Sequence, residues 1–209
     1  MTPRFFGVVV GLAIAFAATT ASACTRDLPA GAGQVFVPEH QIDQSLLDSA
    51  VRSEVNFHRC KAGLSPLTQA QSALVSVAAT HSEWMAQAGS LSHRSTVPGM
   101  SNLRQRISAS RVKFRAGSEN IGMVQRYQFG NLQFQILDRA SCSFSSHDGT
   151  RVPPHSYASL AKYAVELWMA SPKHRQNILD PKMTRVSTAA AFGSGQYCGQ
   201  FWLTQNFVG

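Results

Sequence analysis

Trp168-Met169-Ala170-Ser171-Pro172-Lys173-His174-Arg175-Gln176-Asn177-Ile178-Leu179 is the stretch whose reading fixes the fold. Ser171 is a helix-capping residue and Pro172 stands at the first helical position, where its missing N–H is no loss, so a short helix runs to about Leu179. Just upstream, Ser156 can cap a helix carrying Leu160, Tyr163, Ala164, Leu167 and Trp168 on three- and four-residue steps. Downstream the period changes to two, and Val186–Phe192 and Tyr197–Val208 read as strands around the turn Gly193-Ser194-Gly195. Further back, Ile42, Leu46, Leu47, Ala50, Val51 and Val55 mark an amphipathic helix over 41–61, with Gly63 at its C-terminal cap position. Thr68 and Gln71 form a capping-box pair for a second helix, whose face is Leu74, Val77, Ala78, His81 and Met85 and whose stop is Gly89. A shorter helix covers 101–110 after the Pro98-Gly99 turn, and residues 24–40, rich in Gly, Ala and Pro, read as a leader or linker on the surface. Within 125–155, Tyr127, Phe129, Leu132, Phe134 and Ile136 predict a short strand pair around Gly130-Asn131, inside an insertion that is otherwise loop-like. Helices first and a terminal hairpin last predict an α+β sandwich rather than a parallel α/β sheet.

The chain has 209 residues, 44% of them apolar and 14% charged, which suffices for one core and excludes a disordered or fibrous chain. Arg4, the apolar run 5–18 and the small residues Ala21-Ser22-Ala23 make residues 1–23 an export signal peptide; fourteen apolar residues are too few for a spanning helix. The mature chain is therefore expected outside the cytoplasm, secreted, periplasmic or extracellular. In that compartment Cys24, Cys60, Cys142 and Cys198 read as two disulfides in one of three connectivities. A second reading of Cys24 is open, because a bacterial lipoprotein carries its acylated cysteine at this place. Against it, Ala21 stands where such signals usually carry Leu. No C-x-x-C pair offers thiolates at metal-ligand spacing.

The formal charge is +8, with Arg94, Arg104, Arg106, Arg111, Lys113, Arg115 and Arg126 concentrated in the middle third. These read as a solvated face or as an attraction to an anionic envelope surface; nucleic acid is not an expected partner of an exported chain. No H-E-x-x-H, phosphate-binding loop or G-x-S-x-G elbow is present, and His81-Ser82-Glu83 lacks the P-C-x-x-C half of a deaminase site. His40, His58, His147 and His155 have no acidic or ligand-spaced neighbour in a defined element and read as structural. Trp168, Trp202, Phe201, Tyr163 and Ile178 read as core.

Leu91-Ser92-His93-Arg94-Ser95, Gly117-Ser118-Glu119-Asn120-Ile121-Gly122 and the Trp168–Leu179 stretch, in this order after Gly63-Leu64-Ser65-Pro66-Leu67, resemble the CAP superfamily. The name covers cysteine-rich secretory, antigen 5 and pathogenesis-related 1 proteins, and the nearest look is to the bacterial SCP-like branch. The resemblance covers about residues 44–208, within a domain over 41–209 whose 125–155 insertion is longer than the family pattern suggests. It implies a three-layer α-β-α sandwich with a central antiparallel sheet and a cleft lined by two histidines and two glutamates. His93 matches the first histidine, Glu119 the glutamate and His174 the second histidine. The fourth place falls on Ser171. Glu166, on the same helix, is turned about 200° from Trp168 and need not face the cleft.

Two neutral imidazoles and a carboxylate can bind a divalent metal, zinc above all, with His93 and His174 as ligands and Glu119 as the base. The same groups can equally form a polar network in which Asn120 bonds the backbone. His174 lies in the first turn of its helix, where the dipole disfavours protonation. The favoured expectation is a monomeric, non-enzymatic binding module for a lipid or other small ligand, since family members are associated with lipid or sterol binding. The alternative is a metal-dependent hydrolase acting on an envelope or extracellular polymer.

Overall fold

The computed structural model describes residues 23–36 and 41–209. The export signal, apart from Ala23, and four residues of the leader lie outside the described residues.

Helix α1 (Gln44–Lys61) starts where Asp43 accepts a hydrogen bond from the Leu46 N–H, three residues later than the periodicity predicts. Strand β1 (Thr68–Gln69) follows, then α2 (Ser72–Ala88) and α3 (Leu103–Ala109). The capping box expected at Thr68 and Gln71 does not form: Thr68 and Gln69 pair with a strand instead, and Gln71 precedes α2 without a side-chain cap bond. Gly89 ends α2 in the left-handed conformation, φ 60°, which a side chain would disfavour. Asn102 caps α3 by accepting from the Gln105 N–H.

Strands β2 (Gly117–Gln125), β5 (Arg185–Gly193) and β6 (Gln200–Val208) make the sheet, with α4 (Tyr157–Ala170) and α5 (Pro172–Ile178) between β2 and β5 in sequence. The order is β1-β5-β6-β2. The three long strands are antiparallel, and β1 adds a two-residue parallel edge, so the sheet is mixed at its rim. α2 packs on β5 and β6 from one face and contacts α3 beside it; α1 and α4 close the other face. The layers are those of an α-β-α sandwich.

The insertion does not fold as predicted. Gly130-Asn131 is a plain turn, and the strand pair lies further on, β3 (Phe134–Asp138) against β4 (Ser143–Ser146). Tyr127, Phe129, Phe144 and Val152 bury themselves as a separate small core, and the Cys142–Cys198 disulfide ties the pair to the turn before β6. The turn misled because aromatic alternation is satisfied as well by a self-contained cluster as by a hairpin.

The leader lies mostly on the surface, as read, but Ala32 and Phe36 are buried. Phe36 is buried in the main core against Phe192 and Phe201, and Gln34 and Ala32 accept the first N–H groups of α4, from Tyr157 and Ala158. Cys24 bonds Cys60. That sulfur is therefore unavailable for an acyl thioether, which sets aside the lipid anchor at Cys24.

His155 sits at the start of α4, 4% exposed. Its Nδ1 lies 3.0 Å from Ser159 Oγ, which itself accepts from the Ser156 N–H at 2.9 Å. Burial pushes the His155 pKa down to about 4. Between pH 6.5 and 4 the unfolded chain takes up this proton while the folded one does not, so stability falls as pH falls through that window. His155 should account for about 3 kcal/mol of stability lost between pH 7 and pH 4. Urea unfolding of wild type and His155→Gln at both values checks it: the variant should be less pH-sensitive by that amount, and equal sensitivity contradicts the assignment.

Candidate functional site

β2 is the free edge of the sheet, and an unpaired edge carries carbonyls that need donors. Two of them find side chains: Asn177 Nδ2 donates to Glu119 O at 3.2 Å, and Trp168 Nε1 donates to Ile121 O at 2.9 Å. Gly122 lets the indole approach; a Cβ there would stand 3.1 Å from Trp168 Nε1. α5 is held in turn by Arg59, 1% exposed, which donates to Ile178 O at 2.7 Å and Asp180 O at 3.0 Å. The quoted stretch around Ser171-Pro172 thus covers the edge, and the site lies along that edge.

The Glu119 side chain is 2% exposed, and one terminal nitrogen of Arg106 bridges both its oxygens, at 2.7 and 2.6 Å. The same nitrogen donates to His93 O at 3.0 Å, and the other terminal nitrogen donates to Met100 O at 3.2 Å. Arg106 therefore fastens the loop bearing His93 to β2. His93 Nδ1 lies 2.8 Å from Glu119 Oε1. A carboxylate already paired with a guanidinium is an acceptor, so Nδ1–H donates and the Nε2 lone pair is presented on a ring that is 56% exposed.

His174 stands on the α5 side of the edge. Asn120 Nδ2 donates to its carbonyl at 3.3 Å and to Gln205 Oε1 at 3.2 Å, and Asn120 Oδ1 accepts from Asn177 at 2.8 Å. Burial holds the His174 pKa below the usual histidine value, with repulsion from His93 adding to it. The physical cause is thus burial rather than the dipole of a seven-residue helix. His174 and Ser171 line a cavity of about 250 Å³ whose walls also include Leu91, Ile121, Val124, Leu167, Trp168 and Leu203.

The residues read from sequence divide into three groups. His93 and Glu119 share a hydrogen bond; Asn120 and Ser171 stand with His174 on the far side of the edge strand. Glu166 does not face the cleft: it is exposed, 3.9 Å from Lys162 on the solvent side of α4. The zinc set does not fit these donors. Both Glu119 oxygens are engaged by Arg106, and among the described residues no three His, Cys, Asp or Glu side chains are placed to hold a metal ion.

Arg106, Asn177 and His81 belong to the site and were not singled out. Arg106 read as a surface cation, yet it neighbours Ile107 on the inward face of α3, which with Leu103 one turn away was a legible signal. His81 is buried beneath the site, Nε2 at 2.9 Å from Ser92 O, and it orders the loop before His93. Deleting one partner of a buried ion pair leaves the other uncompensated, whereas replacing both with apolar side chains does not. Arg106→Met should lower stability by about 3–5 kcal/mol, and Arg106→Met/Glu119→Leu by clearly less. Denaturant unfolding of the two variants measures this, and a double variant at least as unstable as the single one contradicts a buried pair.

The family model for the cysteine-rich secretory protein family, CAP, matches residues 52–207. No curated protein matches the chain. Among solved structures, an outer surface protein of Borrelia burgdorferi is 14% identical with a TM-score of 0.52, covering 81% of this chain and 97% of that one. An extracellular protein containing an SCP domain, from Bacillus anthracis, is 22% identical with a TM-score of 0.49, over 79% of this chain and 41% of that one. A cysteine-rich secretory protein of Staphylococcus aureus is 14% identical with a TM-score of 0.43, over 79% and 39%. The chain thus spans about two-fifths of the length of the latter two. The Borrelia likeness agrees with the α-β-α sandwich, and the family match, running from α1 into the last strand, shows that the chain belongs to the CAP family.

Proposed function

We propose that this chain is an exported, non-enzymatic CAP module that takes a small ligand, or the end of a lipid, at the covered edge of its sheet. Two disulfides suit an oxidising compartment, and no helix of the described residues is long and apolar enough to cross a membrane. The observation that carries the reading is a cavity lined almost wholly by apolar side chains, with Ser171 and His174 as its two polar residues. An apolar hollow with few convergent polar groups suits a ligand with an apolar body and one polar head. Its volume, about 250 Å³, lies below the roughly 300–1,000 Å³ of drug-sized pockets, which limits the buried part to a short tail or one ring.

A metal-dependent hydrolase has less support. Glu119 would have to release Arg106 before it could act as a base to a bound water, and that would leave a buried guanidinium unpaired. With two imidazoles alone, the ligand set of a hydrolytic zinc site is incomplete.

Leu91 and Leu167 are 51% and 43% exposed at the rim, so they can be altered without opening the core. A screen of fatty acids, sterols and phospholipids against the folded chain should find at least one class retained above a heat-unfolded control. Leu91→Ser/Leu167→Ser should weaken that binding by about tenfold, the loss expected from about 1.4 kcal/mol of apolar contact. No retention in the folded chain, or equal binding by the variant, overturns the reading.

A further inference from the structure

One end of the sheet collects cations that lie outside the cleft and, among the described residues, form no ion pair. Thr68, Arg185, Val208 and Gly117 stand in one row across the four strands. Two segments cross this row. The Arg115 N–H donates to Gly209 O at 2.7 Å, Arg185 donates to Lys113 O at 2.8 Å, and Gly209 lies directly against the Lys182 carbonyl. Arg111, Lys113, Arg115 and Lys182 are exposed and Arg185 is half-buried beside them. The acid next to them is Asp180, whose carboxylate accepts the Lys182 N–H at 2.8 Å. The cluster differs from the one the sequence suggests: Arg106 is consumed by Glu119, and Lys182 and Arg185 arrive from a distant part of the chain.

Along 111–115 burial alternates. Val112 is 3% exposed and Phe114 packs against the α2–α3 core, while the cations between them turn outward. Arg111, Lys113 and Arg115 thus repeat on one outward side, beside Lys182 and Arg185, a run of cations suited to successive charges on a linear polymer. Met183 is buried as well, so among the described residues this face has no exposed large apolar side chain to enter an acyl layer, as a membrane-docking surface would. We infer that this end of the sandwich is a docking surface for a linear anionic glycan, one whose successive residues carry sulfate or carboxylate groups.

The probe is an end-labelled heparin dodecasaccharide, titrated against the full disulfide-bonded chain by fluorescence anisotropy at several salt concentrations. Lys113→Gln/Arg115→Gln/Lys182→Gln is compared with Arg139→Gln/Arg151→Gln/Lys162→Gln, which removes the same charge elsewhere. Arg139 lies beside Cys198 at the opposite end of the nine-residue strands, about 27 Å away. Binding should weaken with salt, and the first triple variant should lose about tenfold while the second stays within about twofold. Equal losses in the two variants would reduce the effect to net charge and overturn the inference. So would absence of glycan binding at low salt, or retention on phosphatidylglycerol vesicles by a chain that ignores the glycan. Because none of these residues touches the apolar cavity, this test and the lipid screen fail independently.

Discussion

A carboxylate shared between a buried guanidinium and an exposed imidazole is the constraint on which the site depends. Glu119 is held by Arg106 on both oxygens and accepts from His93 at 2.8 Å. Burying a charge is unfavourable unless it is paired and hydrogen-bonded. Here one Arg side chain meets that requirement and also anchors two carbonyls of the loop 93–100, so the position of His93 follows from the ion pair rather than from local loop preference. The same pairing occupies both Glu119 oxygens, so what Glu119 does at this edge is hold the exposed His93 imidazole in place.

On the other side of β2, the problem solved is that of an open sheet edge. Asn177 and Trp168 satisfy two outward carbonyls, and α5 starts with Pro172 in its first turn, although Ser171 makes no side-chain cap bond of the kind the sequence suggests. Three polar contacts through Asn120 then bind β2, β6 and α5 together. His174 is thereby partly desolvated, and its proton affinity drops for that reason. The fold thus explains the site: the Trp168–Leu179 stretch is needed to finish the sheet, and carrying a histidine past the cleft is a consequence of its path.

Legibility from sequence tracked how local the cause was. Helix periodicity with caps at Ser156 and Gly89, and the terminal hairpin, are decided by neighbours within a few residues, and they stand as read. Thr68 was misread because a capping box and a strand edge ask for the same side chains, and only the distant Arg185 strand decides between them. Phe36 stands in a Gly-, Ala- and Pro-rich leader read as surface, but its ring packs against Phe192 and Phe201, over 150 positions away. His93, Glu119 and His174 came from a motif resemblance, which locates residues without saying which charges surround them. Arg106 shows the limit most clearly: charge counting assigns it to solvent, and only the buried acid on β2 assigns it to the core.

The direct test of the shared carboxylate is the tautomer of His93, read from two-bond nitrogen–hydrogen correlations in the imidazole at a pH where the ring is neutral. The arrangement described here predicts the Nδ1–H form, with Nε2 unprotonated, in the wild-type chain, and a loss of that preference in Glu119→Leu/Arg106→Met. A wild-type ring protonated on Nε2 instead would mean that Glu119 does not hold His93, and the account of the site would fail with it.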